Sequence, residues 1–175
     1  MRRRLAVGLV LAAFAPTAGS GAPPDAPEAV VKAIYKIAAG PKGDYLSCAG
    51  DDTACSIDGP RIRALFTSSL NKEMDAMNER SRKDQDAVLD FDPITDSQDP
   101  SIGKLLFKPE AAALGAVTVD VTFWPRPQKG ERLSEHDLRY DLKREGGAWR
   151  VDNIRAVTPG AEWDLRKIIE PEATP

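Results

Sequence analysis

Three groups of residues in this 175-residue chain are of types that do chemistry. The first is His136 and Tyr140, which fall on the same side of an alternating stretch, with Asp120 as a carboxylate to pair with either. Imidazole, phenol and carboxylate inside an apolar pocket are the parts of a general acid/base pair, because burial and hydrogen bonding tune their protonation. The second is Asp90, Asp92, Asp96 and Asp99, carboxylates close enough in sequence to raise calcium binding. The third is Cys48 and Cys55, a thiol pair in a polar, turn-rich stretch.

Each group also has a structural reading. His136 lies between Glu135 and Asp137 at the start of a strand, which places it toward solvent. Tyr140 reads as a core residue with its hydroxyl at the edge. With no second convergent polar group, no catalytic residue is assigned. The aspartates lack the spacing of an EF-hand loop, since Ile94 and Thr95 occupy positions where a ligand and the turn glycine belong. They read as caps of a loop, and no metal or other cofactor is expected. The cysteines are not spaced as Cys-x-x-Cys, and one histidine in the whole chain cannot complete a set of zinc ligands. A structural disulfide between Cys48 and Cys55 is expected. No nucleophile elbow, phosphate loop, dinucleotide fingerprint or His-Glu-x-x-His motif occurs.

The chain that must position these residues opens on Arg2, Arg3 and Arg4, an apolar run from Leu5 to Ala15, and small residues from Ala18 to Ala22. That is the pattern of a secretory signal peptide over 1–22, with cleavage between Ala18 and Ala22. Its apolar run is shorter than a membrane span, and no cysteine follows it to carry a lipid. The expected product is periplasmic or secreted, with no integral membrane segment, and it is the oxidising setting in which cysteines pair. Removing the three arginines takes the net charge from −3 to −6. The remaining basic residues are interleaved with acids, so nucleic acid is not an expected partner.

A Pro-rich leader over 23–27 precedes a single α+β domain over 28–170 and a tail over 171–175. Val30, Val31, Ile34, Ile37 and Ala38 predict a helix from Glu28 to Ala39, started near Pro27 and stopped by Gly40-Pro41. A second helical region runs from Arg61 to Lys83, and Thr67-Ser68-Ser69 inside it can cap a fresh helix. Val88 to Ser101, rich in Asp and Pro, reads as a structured loop. Beyond it the period drops to two. Strands are predicted at Lys104 to Lys108, around Val117 to Phe123, around Leu138 to Leu142, and from Ala148 to Ala156. Gly146-Gly147 joins the last two as a hairpin, and the parity of Ile154 calls for a bulge near Asp152-Asn153. A short helix is expected within Glu162 to Glu170. Helices followed by strands give an α+β domain, with N-terminal helices on one face of a curved antiparallel sheet and a short C-terminal helix.

The stretch Leu89-Asp-Phe-Asp-Pro-Ile-Thr-Asp-Ser-Gln-Asp-Pro100, the valine-alternating strands, Leu138-Arg-Tyr-Asp-Leu142, Gly147-Ala-Trp-Arg-Val-Asp-Asn-Ile154 and Leu165-Arg166 together resemble a family of small bacterial exported proteins. That family is placed in the nuclear-transport-factor-2-like, or cystatin-like, superfamily. The resemblance implies a sheet wrapped around helices as a cone, with an apolar pocket at the open end, and it implies no activity. The chain departs from the family form at Ile94, where an aromatic residue is usual, and in the long Pro125 to Ser134 connection.

The expected function is therefore that of an exported non-catalytic domain holding a small ligand or a periplasmic protein partner. The alternatives are a cone-pocket enzyme of isomerase or dehydratase type, and an inhibitor or immunity-type protein that uses Pro125 to Ser134 as a plug.

Overall fold

A computed structural model describes residues 26–45, 55–98, 102–110, 115–126 and 134–171. Its elements, in chain order, are α1 (Pro27–Ala38), α2 (Pro60–Arg63), α3 (Ser68–Asp84), β1 (Lys104–Pro109), β2 (Ala116–Trp124), β3 (His136–Glu145), β4 (Ala148–Ala156), β5 (Trp163–Asp164) and α4 (Leu165–Ile169). The five strands form one antiparallel sheet in sequential order, so the fold is α+β, as expected. The signal-peptide residues and Cys48 lie outside the described residues. No helix among the described residues is long and apolar enough to cross a membrane.

Helix α1 starts with Pro27 in its first turn, where a missing N–H costs nothing, and ends at Ala38, with Ala39 as its C-cap. It buries Val30, Val31, Ile34, Tyr35 and Ala38 against β1, β2 and β4. The second helical region is broken where the sequence places a cap. Thr67 takes an extended conformation and its Oγ1 accepts the Leu70 N–H, which satisfies one orphan donor of α3. Leu70, Met74 and Met77 then face the core.

The strands divide the sheet into two faces. Val117, Val119, Val121 and Phe123 of β2 and Leu138, Tyr140 and Leu142 of β3 are buried on the helix-covered side. On the other side polar groups satisfy one another across the strands. Thr118 Oγ1 donates to Asp141, Arg155 forks onto the same carboxylate through Nε and Nη2 at 2.7 and 2.8 Å, and Thr122 Oγ1 donates to Asp137. The two threonine–aspartate pairs are directly opposite across β2 and β3, and Arg155 reaches Asp141 diagonally from β4; such cross-strand pairs are the unit of sheet stabilisation.

The hairpin at Gly146-Gly147 has positive φ at both residues, 61° and 83°, the conformation that matches strand twist and that glycine adopts without strain. The pairing of β3 with β4 shifts between Asp141 and Leu142, whose partners are Asn153 and Val151. Asp152 is the extra residue of the bulge. Its carboxylate accepts Thr67 Oγ1 at 3.0 Å, Lys143 Nζ at 2.7 Å and Arg166 Nη2 at 2.8 Å. One bulge thus ties the α3 cap, β3 and α4 to one point.

The outer edge of β4 is closed in two pieces. Val151 exchanges backbone hydrogen bonds with Leu65 and Thr67, and β5 pairs with Arg155 and Ala156. The expected helix over 162–170 is therefore shorter than its sequence pattern. Trp163 and Asp164 are taken into the sheet first, and Asp164 then caps α4 by accepting the Lys167 N–H.

Candidate functional site

The site lies where α1 ends and the loop 85–98 returns toward the sheet. A cavity of about 600 Å³ opens there. Its apolar wall comes from Ile57, Leu89 and Phe91, and its polar groups include Tyr45, Asp92 and Thr95. Asp90 stands exposed at the rim and Asp92 is deeper. The volume falls within the range of small-molecule sites, which are typically apolar clefts carrying a few placed polar groups.

Local chemistry shapes the loop. The Asp92 carboxylate accepts the Ile94 N–H at 3.0 Å and Thr95 Oγ1 at 2.9 Å, and its backbone pairs with Ser97. Ile94, fully buried, plugs the core beneath the turn. Burial raises the Asp92 pKa above the usual carboxylate value, and the hydrogen bonds from Ile94 and Thr95 oppose that shift without cancelling it. Asp92 forms no ion pair with any described residue. Burial likewise raises the Tyr45 hydroxyl, against a smaller opposite effect of the Arg126 charge.

Asp96 turns away from the cavity, in a left-handed backbone conformation with φ of 50°. One of its oxygens accepts the Trp163 indole N–H at 2.6 Å and the other lies 2.8 Å from His136 Nδ1. His136 is stacked on Phe123, its cross-strand partner, with ring centroids 5.0 Å apart and planes within 5°. Trp163 packs edge-on against Phe91 at 5.1 Å. The cavity wall is thus clamped from behind by β3 and β5.

The sequence-derived candidates are distributed as follows. His136 is not solvent-facing: only 21% of its side chain is exposed, because the ring stacks on Phe123 and meets a carboxylate that sequence proximity does not show. Tyr140 does not carry its hydroxyl to an edge. It is wholly buried, 3.3 Å from the Tyr35 hydroxyl, and burial pushes both phenols above their ordinary pKa. Asp120 meets neither of them, since strand alternation puts it on the polar face, where it accepts Arg139 Nε at 3.1 Å. Asp92 caps its turn, Asp96 holds His136 and Trp163, Asp90 is exposed, and Asp99 lies outside the described residues. Among the described residues no three His, Cys, Asp or Glu side chains are grouped to hold a metal ion. Cys55 is buried and lines the cavity.

Chemically, the cavity carries Asp90, Asp92 and the Tyr45 phenol, while His136 is held on Asp96, and Tyr35 and Tyr140 pair in the core within reach of the Asp92 charge. Asp92 lines the cavity, whereas His136, Tyr140 and Tyr35 do not. The sequence reading missed Tyr45, Phe91 and Trp163. The aromatic spacing in Asp90-Phe91-Asp92 was the one local signal available for Phe91. Comparison of the chain with protein-family models, with curated proteins and with solved structures found no match.

Proposed function

We propose that the chain is an exported, non-catalytic domain of the nuclear-transport-factor-2-like type that holds a small molecule in the cavity beside α1. The single observation that supports this is the cavity itself. It is of ligand size, it combines an apolar patch of Ile57, Leu89 and Phe91 with polar groups, and the His136 and Trp163 contacts brace that wall. A preformed site loses less entropy on binding than one that must be ordered. His136 and the two core tyrosines are not lining residues, which supports binding over turnover by the acid/base pair that the sequence offered. Export to the periplasm or beyond rests on the leader sequence.

The test uses the neutral dye N-phenyl-1-naphthylamine, whose fluorescence rises in apolar surroundings, on the mature protein. Binding is expected for the wild type, with at least a tenfold loss in Leu89→Trp, which fills the cavity. Equal binding by both proteins, or none by either, overturns the reading. A turnover of any substrate that is abolished by Asp92→Asn overturns its non-catalytic part.

A further inference from the structure

We propose that the ligand of this cavity is an organic cation, an ammonium group carried on an apolar or aromatic body. The inference rests on the cavity being the binding site and adds the charge of what it takes.

The lining is unbalanced in charge. Among the described residues it contains two carboxylates, Asp90 at the rim and Asp92 deeper, and no Lys, Arg or His. Elsewhere in the described structure several half-buried carboxylates pair with cations, while Asp137 and Asp164 take neutral donors. Asp141 has Arg155, Asp152 has Lys143 and Arg166, and Asp120 has Arg139. Asp92 instead has only neutral donors, the Ile94 N–H and the Thr95 hydroxyl. Arg126, whose charge reaches Tyr45, sends Nε to the Ile102 carbonyl and Nη2 to the Gly43 carbonyl and is not a lining residue.

The rest of the lining suits the same ligand. Two aromatic rings, Tyr45 and Phe91, stand in the wall with the aliphatic Leu89 and Ile57. Aromatic faces attract cations through their quadrupole, and the attraction grows as water is removed. A carboxylate and aromatic rings around one apolar space therefore favour an ammonium over a neutral group, and a neutral group over an anion. Burial raises the Asp92 pKa by penalising its charged form, a penalty that a bound cation would relieve.

The test measures displacement of the neutral dye by three probes of similar size, benzylammonium, benzyl alcohol and benzoate, at neutral pH. Benzylammonium is expected to compete at a concentration at least tenfold lower than benzyl alcohol, with benzoate weakest. Asp92→Asn keeps an oxygen acceptor for the loop and is expected to bind the dye while losing most of the cation preference. Asp90→Asn, at an exposed position, guards against misfolding of the deeper variant and is expected to lower the preference about threefold. Dye binding with no preference for benzylammonium in the wild type, or a preference unchanged in both variants, overturns the inference and leaves the cavity reading standing. A wild type that binds neither dye nor cation overturns both.

Discussion

His136 Nδ1 lies 2.8 Å from Asp96 Oδ2, a contact that joins the start of β3 to a loop residue 40 positions earlier. An ionised carboxylate only accepts, so the imidazole presents its Nδ1–H to Asp96. The second Asp96 oxygen takes the Trp163 indole, and Trp163 in turn supports Phe91 of the cavity wall. The chain's one histidine thus helps to position the cavity without lining it.

That relationship sets the first prediction. Asp96→Ala removes the acceptor of two half-buried donors, and it places a side chain with no local hydrogen bond at a positive φ. A loss of about 2 kcal/mol is expected in urea denaturation, with weaker dye binding in the cavity. Asp96→Asn, which tolerates the left-handed conformation and keeps one acceptor, should lose about half as much. Unchanged stability and dye affinity in Asp96→Ala would show that the clamp is idle.

The Tyr35 and Tyr140 hydroxyls, 3.3 Å apart in the core, supply the second prediction. Removing either one leaves the other without the partner it has here, whereas removing both replaces a polar pair with two rings of the same shape. Tyr35→Phe and Tyr140→Phe should each cost about 1 kcal/mol. The double variant should cost less than the sum, a coupling that a double-mutant cycle on urea midpoints would read. Strict additivity would mean that the two hydroxyls do not interact.

What was legible in the sequence was local. Strand alternation assigned the buried faces of β2 and β3, Gly146-Gly147 marked the hairpin, Thr67 marked the helix break, and the parity of Ile154 marked the bulge, each from residues within one turn or one strand. The misread features depend on distant partners. Glu135 and Asp137 beside His136 suggested solvent, but Asp96 and Phe123 decide its surroundings. Trp163 and Asp164 fit a helical pattern and yet pair with the β4 edge, because an open edge next to them offers backbone partners. The cavity has no periodicity to read, being assembled from the end of α1 and two loops.

The third prediction concerns Asp152. Burial alone would raise its pKa, but the hydrogen bond from Lys143, the Arg166 charge and the Thr67 hydroxyl together outweigh burial and lower it. An acid whose folded pKa is depressed contributes stability that is present above the unfolded value of about 3.9 and is lost as pH falls through the folded value. Asp152→Asn is therefore expected to be less stable than wild type by about 2 kcal/mol at neutral pH. The gap between the two should narrow as pH falls below about 4. Urea denaturation at a series of pH values between 7 and 3 checks this, and a gap that stays constant across the series would mean that the Asp152 charge is not what holds the bulge.

The last prediction concerns Cys48 and Cys55, which we propose are joined in the exported protein. The leader sequence, the even count and the Gly and Asp residues between them favour pairing. Cys55 is buried next to Ser56 and Ile57 in the cavity wall, so the bond would anchor the polar stretch before α2 against that wall. The loop it would close is short, which in the chain-entropy model limits the stabilisation to about 2 kcal/mol. Replacing both cysteines by serine should lower the melting temperature by about 4–8 °C while the circular dichroism of helices and strands stays unchanged. Because Cys55 lines the cavity, dye affinity should fall modestly in the same variant, by less than the tenfold expected for Leu89→Trp. A thiol count on the unreduced exported protein decides the pairing directly: none is expected, and two titratable thiols per chain under denaturing conditions would rule it out.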